Sequence, residues 1–198
     1  MMGWRQDTNS KKSAYLRKEM ANKTKQYEGF EDLPYYDTKG SLTSGFGFNL
    51  EDPHVRSLLP NNYIRAISGD TTQSPVMDKK MADPVFNSLM DNAKKDAKNY
   101  LGEKYDTIDE DARNVLDDLS YNIGATKLKK FDGFKKALIS GDYDRAAEEL
   151  KWVDPDKKNK LTPYWTETKT RARDHYNSLK DINKKQLEAE LLRQIGGE

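Results

Sequence analysis

The segment from Glu28 to Gly47 constrains this chain more than any other. It reads Glu28-Gly29-Phe30-Glu31-Asp32-Leu33-Pro34-Tyr35-Tyr36-Asp37-Thr38-Lys39-Gly40-Ser41-Leu42-Thr43-Ser44-Gly45-Phe46-Gly47. A helical pattern runs into it from Ser13, with Leu16, Met20 and Tyr27 on roughly one face and Phe30 just beyond. Gly29 is a natural C-terminal stop, which leaves Glu28 in the last turn. Pro34 prevents the helix from resuming, and Leu33 to Tyr36 reads as a short strand. Asp37-Thr38-Lys39-Gly40 has turn chemistry, with Asp first and Gly fourth, and Ser41 to Phe48 returns as a second strand. On an unbroken strand Thr43, Gly45 and Gly47 share one face, while Leu42, Ser44, Phe46 and Phe48 share the other. The glycines then mark either a bulge or tight bend, or a bare strip along which a polymer can approach the backbone.

Two carboxylates in unlike settings can divide acid and base chemistry. The last turn of a helix turns unpaired carbonyls outward and disfavours an anion, and Tyr27 and Phe30 add desolvation in the same sense. Glu28 is therefore the candidate general acid, the group that must carry a proton to a leaving oxygen. Asp37, on an open turn with Thr38 and Thr43 near enough to hydrogen-bond, is the candidate ionised partner. An acid at a helix end and a second carboxylate on a facing hairpin form the usual toolkit for breaking a glycosidic bond. The plain alternatives are a solvent-facing helical glutamate, a turn-starting aspartate and an ordinary strand threonine.

Downstream, Pro53, Pro60, Gly69 and Pro75 break residues 49–83 into short pieces, with small helices over His54 to Leu59 and near Tyr63 to Ile67. Asp83-Pro84 reads as a cap and first-turn proline opening a helix through Tyr100, with Val85, Leu89, Ala93 and Ala97 on one stripe. A further helix from about Asp109 to Ile123 carries Ala112, Val115, Leu116, Leu119 and Ile123 at helical steps, and Gly124 ends it. Helices over Asp132 to Ile139 and Asp142 to Lys151 follow. Thr162-Pro163 is another cap and first-turn pair, opening a helical stretch that reaches Ile195 or breaks near Asp181.

Composition narrows the function classes. The 34 basic and 33 acidic side chains leave a net charge of +1, so a nucleic-acid footprint is not supported. The lysine runs Lys127 to Lys130 and Lys157 to Lys160 read as solvated faces. There is no cysteine, so disulfides and thiolate metal sites are excluded. His54 and His175 form no metal-ligand pattern, and both read as surface or internally satisfied residues. No apolar run is long enough for stable membrane insertion, and Met1 to Asp7 lacks the apolar core of a secretory signal.

Glu28, Asp37, Thr43 and the following Gly45-Phe46-Gly47 resemble, in identity and spacing, the phage-type lysozymes, the muramidases of glycoside hydrolase family 24. The likeness continues through Leu116-Asp117-Asp118-Leu119-Ser120-Tyr121-Asn122-Ile123-Gly124, which is similar to the family's central helix, and through Phe134 to Leu138, Gly141 to Ala147, Thr162-Pro163 and Arg171-Ala172-Arg173. It covers about residues 13–50 and 84–180. Phe48 departs from it, standing where the family often has histidine. The near-zero net charge and the longer, poorly matching 49–80 region also depart.

The resemblance implies an α+β lysozyme-like fold. A small β-hairpin lobe (about 28–83) is joined by a long helix to a mainly helical lobe (about 84–180, plus the N-terminal helix 13–28), with a cleft between. Residues 1–12 form a mobile segment, and 181–198 a helical extension that either packs back or docks on a partner. It also implies hydrolysis of the β-1,4 bond between N-acetylmuramic acid and N-acetylglucosamine, with inversion and no metal or cofactor. Glu28 is then the acid, Asp37 the residue that activates water or steadies the cationic transition state, and Thr43 the holder of that water. Gly47, Tyr121, Asn122 and Arg171 contact substrate, Tyr121 by stacking and Asn122 by hydrogen bonding, with Arg171 orienting the Glu28 carboxyl. The implied partners are peptidoglycan glycan strands, with either a holin-dependent export route or virion proteins. The implied location is the host cytoplasm before release to the wall or periplasm, or the virion. Two rival readings are a glycan-binding or structural virion protein that keeps the fold without turnover, and a helical interaction module.

Overall fold

The computed structural model describes Tyr15 and residues 18–195. The segment 1–12, the helix start at Ser13, Leu16 and residues 196–198 lie outside the described residues. The fold is α+β, as expected: a three-stranded antiparallel sheet in the order β1-β2-β3 accompanied by helices. The chain forms two compact units, residues 1–92 and 93–198.

In the first unit, helix α1 (described over 18–28) leads into β1 (Glu31–Tyr36), β2 (Leu42–Gly45) and β3 (Phe48–Asn49). The turn at Asp37 to Gly40 closes as its residue types predict, with the Gly40 N–H donating to the Asp37 carbonyl at 3.0 Å. The β1–β2 register pairs Tyr35 with Thr43 and Glu31 with Gly45, and shifts between those pairs. Pro34, which has no N–H to give the ladder, lies within the shifted stretch, on an edge strand where it is tolerated. On the open side of β1 the Asp32 carbonyl accepts from the Met77 N–H at 2.8 Å.

The return strand differs from the unbroken one expected. It stops at Gly45, turns through Phe46 and Gly47, and resumes at Phe48. Gly45 (φ +65°) and Gly47 (φ +77°) hold left-handed backbone that only glycine adopts cheaply, so alternation fails there. Phe46 and Phe48 still both point inward, at 5% and 2% exposure, but Thr43, Ser44 and Gly45 are buried too. No continuous bare strip exists. A Cβ on Gly45 would lie 2.6 Å from the Met77 sulfur and 2.8 Å from the Phe48 ring, so this glycine is required by close packing. Phe46 is the hub of an aromatic cluster, with ring centroids 5.0 Å from Phe30, 6.0 Å from Phe48 and 5.6 Å from Phe86, all edge-on. The Lys25 ammonium sits over Phe46 and Phe86 and bonds the Asp83 carboxylate at 2.6 Å.

Helices α2 (Pro53–Leu58) and α3 (Asn61–Ile67) lie where the proline punctuation places them. Helix α4 (Lys79–Leu101) starts earlier than Asp83-Pro84 suggests. Asp78 takes the cap position instead, its Oδ1 accepting from the Met81 N–H at 2.8 Å. Pro84 is carried inside the helix at its sixth position, where it costs one ladder bond to the Lys80 carbonyl.

The second unit packs α5 (Glu110–Leu128), α6 (Asp132–Ser140), α7 (Tyr143–Lys151), α8 (Pro163–Thr168) and α9 (Thr170–Ile195) around one core. A 3-10 turn (Gly102–Asp106) precedes α5. Leu116, Leu119, Phe134, Leu138, Leu150 and Leu179 are fully buried there. Gly124 (φ 74°, ψ 161°) breaks α5 as expected, but the helix resumes beyond it to Leu128. Helix α9 runs from Thr170 to Ile195 without a break at Asp181. Asp117 shares the core edge of α5, its Oδ1 accepting from the Tyr105 hydroxyl at 2.7 Å. Burial, the largest influence, pushes its carboxyl up to about 6, against the pull of the Tyr105 hydrogen bond.

Two predictions follow from this packing. Gly45→Ala should destabilise the first unit by about 1–3 kcal/mol, because the methyl meets Phe48 in a backbone conformation alanine disfavours; chemical denaturation measures this. Asp117 binds a proton more tightly folded than unfolded, so its stabilising contribution is complete below pH 3.8 and is lost as pH rises through about 6. At neutral pH its ionisation costs on the order of 3 kcal/mol. Asp117→Asn keeps an acceptor for Tyr105, so it should raise the melting temperature at pH 7 and flatten the loss of stability between these values.

Candidate active site

Glu28 is the last residue of α1 and is half-buried. The helix stops because Gly29 takes φ +73°, its N–H donating to the Lys25 carbonyl at 3.2 Å. The next feature that Glu28 meets is Gly47. A Cβ on Gly47 would lie 3.6 Å from Glu28 Oε2, so the glutamate carboxyl rests over the bare Cα of the β2–β3 turn. The glycines at 45 and 47 thus do different work. The first is needed by the core; at the second a Cβ would make only ordinary contact with the carboxyl, and the left-handed turn is what calls for glycine.

Asp37 and Thr43 meet through the backbone of one residue. Asp37 Oδ1 accepts from the Lys39 N–H at 2.8 Å and the Ser41 N–H at 2.9 Å. The Ser41 carbonyl in turn accepts from the Asp37 N–H at 3.0 Å and from the Thr43 hydroxyl at 3.0 Å. The bonds to Asp37 therefore come from backbone N–H groups, whereas Thr43 spends its proton on a carbonyl. Those bonds, Ser41 first and Lys39 next, hold the Asp37 carboxyl below the ordinary value for aspartate, so it is ionised at neutral pH. Thr43 is 4% exposed, its side chain fixed by that hydrogen bond with the oxygen lone pairs left to accept. Strand β2 therefore runs between the two ends of the candidate site: Ser41, just before it, bonds Asp37 and Thr43, and the turn that follows Gly45 lies against Glu28.

Within the second unit, Tyr121 and Asn122 are half-buried in the last turn of α5 before the Gly124 break. Arg171 lies in the first turn of α9 and is 5% exposed, not a plain surface residue. Its guanidinium grips the fully buried Asp118 of α5, Nε at 2.9 Å from Oδ2 and Nη2 donating to Oδ1 at 3.3 Å. His175, one helical turn along α9, places Nε2 2.8 Å from the same Asp118 oxygen, and its Nδ1 lies 2.7 Å from the Tyr164 hydroxyl. Histidine 175 is thus buried between Asp118 and Tyr164, while exposed His54 hydrogen-bonds Ser88 and Asn92, each at 3.1 Å. Asp118, His175 and Tyr164 were not distinguished by sequence reasoning. One signal was present: two aspartates between Leu116 and Leu119, on a helix whose leucines face the core, with a lone histidine and an arginine four residues apart later on. Among the described residues no cluster of metal-ligating side chains occurs, and no helix is long and apolar enough to cross a membrane.

The phage lysozyme family model matches residues 25–164. The chain belongs to the phage lysozyme family. Glu28, Asp37, Thr43, Gly47, Tyr121 and Asn122 fall inside the span that matches these lysozymes, and Arg171 lies beyond it. The chain is also similar to the pre-baseplate central spike protein Gp5 of Enterobacteria phage T4, 22% identical over 132 residues. That alignment covers 64% of this chain but 23% of the spike protein, so the chain spans under a quarter of that relative's length.

Arg171→Ala should cost about 3–5 kcal/mol, because it strands the buried Asp118 carboxylate without its guanidinium. Thermal or denaturant unfolding reads this directly, and Arg171→Ala combined with Asp118→Asn should recover part of the loss.

Proposed function

We propose that this lysozyme-family chain is a peptidoglycan hydrolase of glycoside hydrolase family 24, cleaving the β-1,4 bond between N-acetylmuramic acid and N-acetylglucosamine. The observation that carries the reading is the presence, in the first unit, of two carboxyl groups in unlike settings. Glu28 lies at a helix C-terminus over a bare glycine, and Asp37 is held ionised by two N–H donors. In the proposed reaction Glu28 donates its proton to the glycosidic oxygen as that oxygen leaves the anomeric carbon. Asp37 takes a proton from water as the water oxygen bonds to that carbon, which regenerates a neutral pair of products. Thr43, whose own proton is engaged by Ser41, accepts a hydrogen bond from the same water and orients it. The turn at Gly47 lies against the acid, and Tyr121 and Asn122 serve substrate binding, whereas Arg171, buried against Asp118, serves the fold that carries them. Attack by water on the face opposite the leaving group gives inversion.

The setting is a phage one, either host lysis aided by a holin or entry through the wall as part of a particle. The similarity to a baseplate spike protein favours the particle, and also keeps alive a glycan-binding or structural virion role without turnover. Reducing-end release from purified peptidoglycan by wild type and Glu28→Gln tests the assignment. The variant should lose at least about 10²-fold in rate, the scale of general acid catalysis. Equal rates would remove Glu28 from its role. Glycan binding without turnover by the wild type would favour the structural reading.

A further inference from the structure

Lys151, the last residue of α7, extends its ammonium into a box of three aromatic rings. Its Nζ lies 5.1 Å from the Trp152 ring centre, 5.2 Å from Trp165 and 5.3 Å from Tyr176. These rings come from three separate places: the residue after α7, helix α8 and helix α9. Each is fixed. Trp152 Nε1 donates to Glu148 Oε2 at 3.1 Å, the Tyr176 hydroxyl donates to Glu148 Oε1 at 2.6 Å, and Trp165 meets Tyr176 edge-on at 5.6 Å. The Trp152 backbone is also bridged to Leu161 across the following loop. Trp152, Trp165 and Tyr176 are all partly open to solvent, so the box is reachable from outside.

The occupant does not match the box. An ammonium carries three N–H donors and is strongly hydrated. Lys151 forms no ion pair among the described residues, and Glu148 is taken up by Lys180 at 3.4 Å and Lys158 at 3.7 Å. Ring faces attract a cation through their quadrupoles but take N–H donors only as weak π hydrogen bonds. A cation without N–H groups, with its charge spread over methyl groups, satisfies such a box without leaving donors unpaired. We propose that Trp152, Trp165 and Tyr176 form a binding site for a quaternary ammonium group, filled in the free protein by the Lys151 side chain, which such a ligand displaces. Glu148 acts as a positioning residue that sets the orientation of two rings.

The test uses the whole chain, with the indole N–H signals of Trp152 and Trp165 followed by NMR during titration with choline chloride, against sodium chloride at equal ionic strength. Lys151→Ala empties the box, and Lys151→Gln does so with a longer neutral side chain. Both should bind choline saturably and about tenfold more tightly than wild type. Trp152→Ala added to either should abolish the shift at Trp165. Absence of saturable shifts in a folded Lys151→Ala or Lys151→Gln variant would overturn the proposal, as would choline binding unaffected by loss of Trp152. Co-sedimentation of the Lys151→Ala variant with phosphatidylcholine vesicles would identify a lipid headgroup as the source, and choline binding without it a soluble or polymer-borne ligand.

Discussion

The first unit depends on a stretch of backbone that only glycine can hold. By taking left-handed angles at 45 and 47, the chain reverses from β2 into β3 within two residues and sends Phe46 and Phe48 to the same side. That reversal shapes the core and the candidate site at once. The Phe46 cluster fills the space under the sheet, and the Cα of Gly47 meets the end of α1 where Glu28 projects. A side chain at 45 would intrude on the core, while one at 47 would reach only ordinary contact with the carboxyl but in strained backbone. The presence of Phe48 where relatives of the resembled kind often carry histidine fits this scheme, since its ring is 2% exposed and belongs to the packing.

The second unit is organised around a buried anion. Asp118 has no exposed surface, and it is matched from α9 by Arg171 and His175, with Tyr164 of α8 completing the chain. Three helices are thereby fixed in mutual register by directional bonds rather than by apolar packing alone. A buried ion pair is costly to assemble and more costly to halve, so its contribution lies in specifying one arrangement of α5, α8 and α9. Asp117, its neighbour, shows the other fate of a buried carboxyl: burial outweighs the pull of its hydroxyl partner and of Lys94 and Arg113, and it shifts toward the neutral form.

What was legible in the sequence was local. Gly29 as a helix stop, the Asp37–Gly40 turn, Thr162 as a cap and the Gly124 break all act within a few residues, and each appears in the structure. The hairpin that carries Asp37 and Thr43, and the helix end that carries Glu28 before it, were legible for the same reason. The break in the return strand was not, because alternation cannot tell a glycine in a flat strand from one in left-handed backbone. Asp83-Pro84 misled because a cap motif competes with its neighbours, and Asp78 offered the earlier start. The bond partners of Asp37 and the Asp118 network were hidden more deeply. They depend on which peptide groups and helices meet in space, which periodicity does not encode.

The outer margin of the sheet has a consequence for behaviour in concentrated solution. Leu33, Tyr35 and Tyr36 stand open to solvent on β1, a combination that elsewhere invites another chain to add a strand. Here the invitation is withdrawn by the backbone itself. Pro34 offers no donor, the ladder slips beside it, and the Asp32 carbonyl is already taken by Met77. The margin can stay greasy without becoming a seed for fibres.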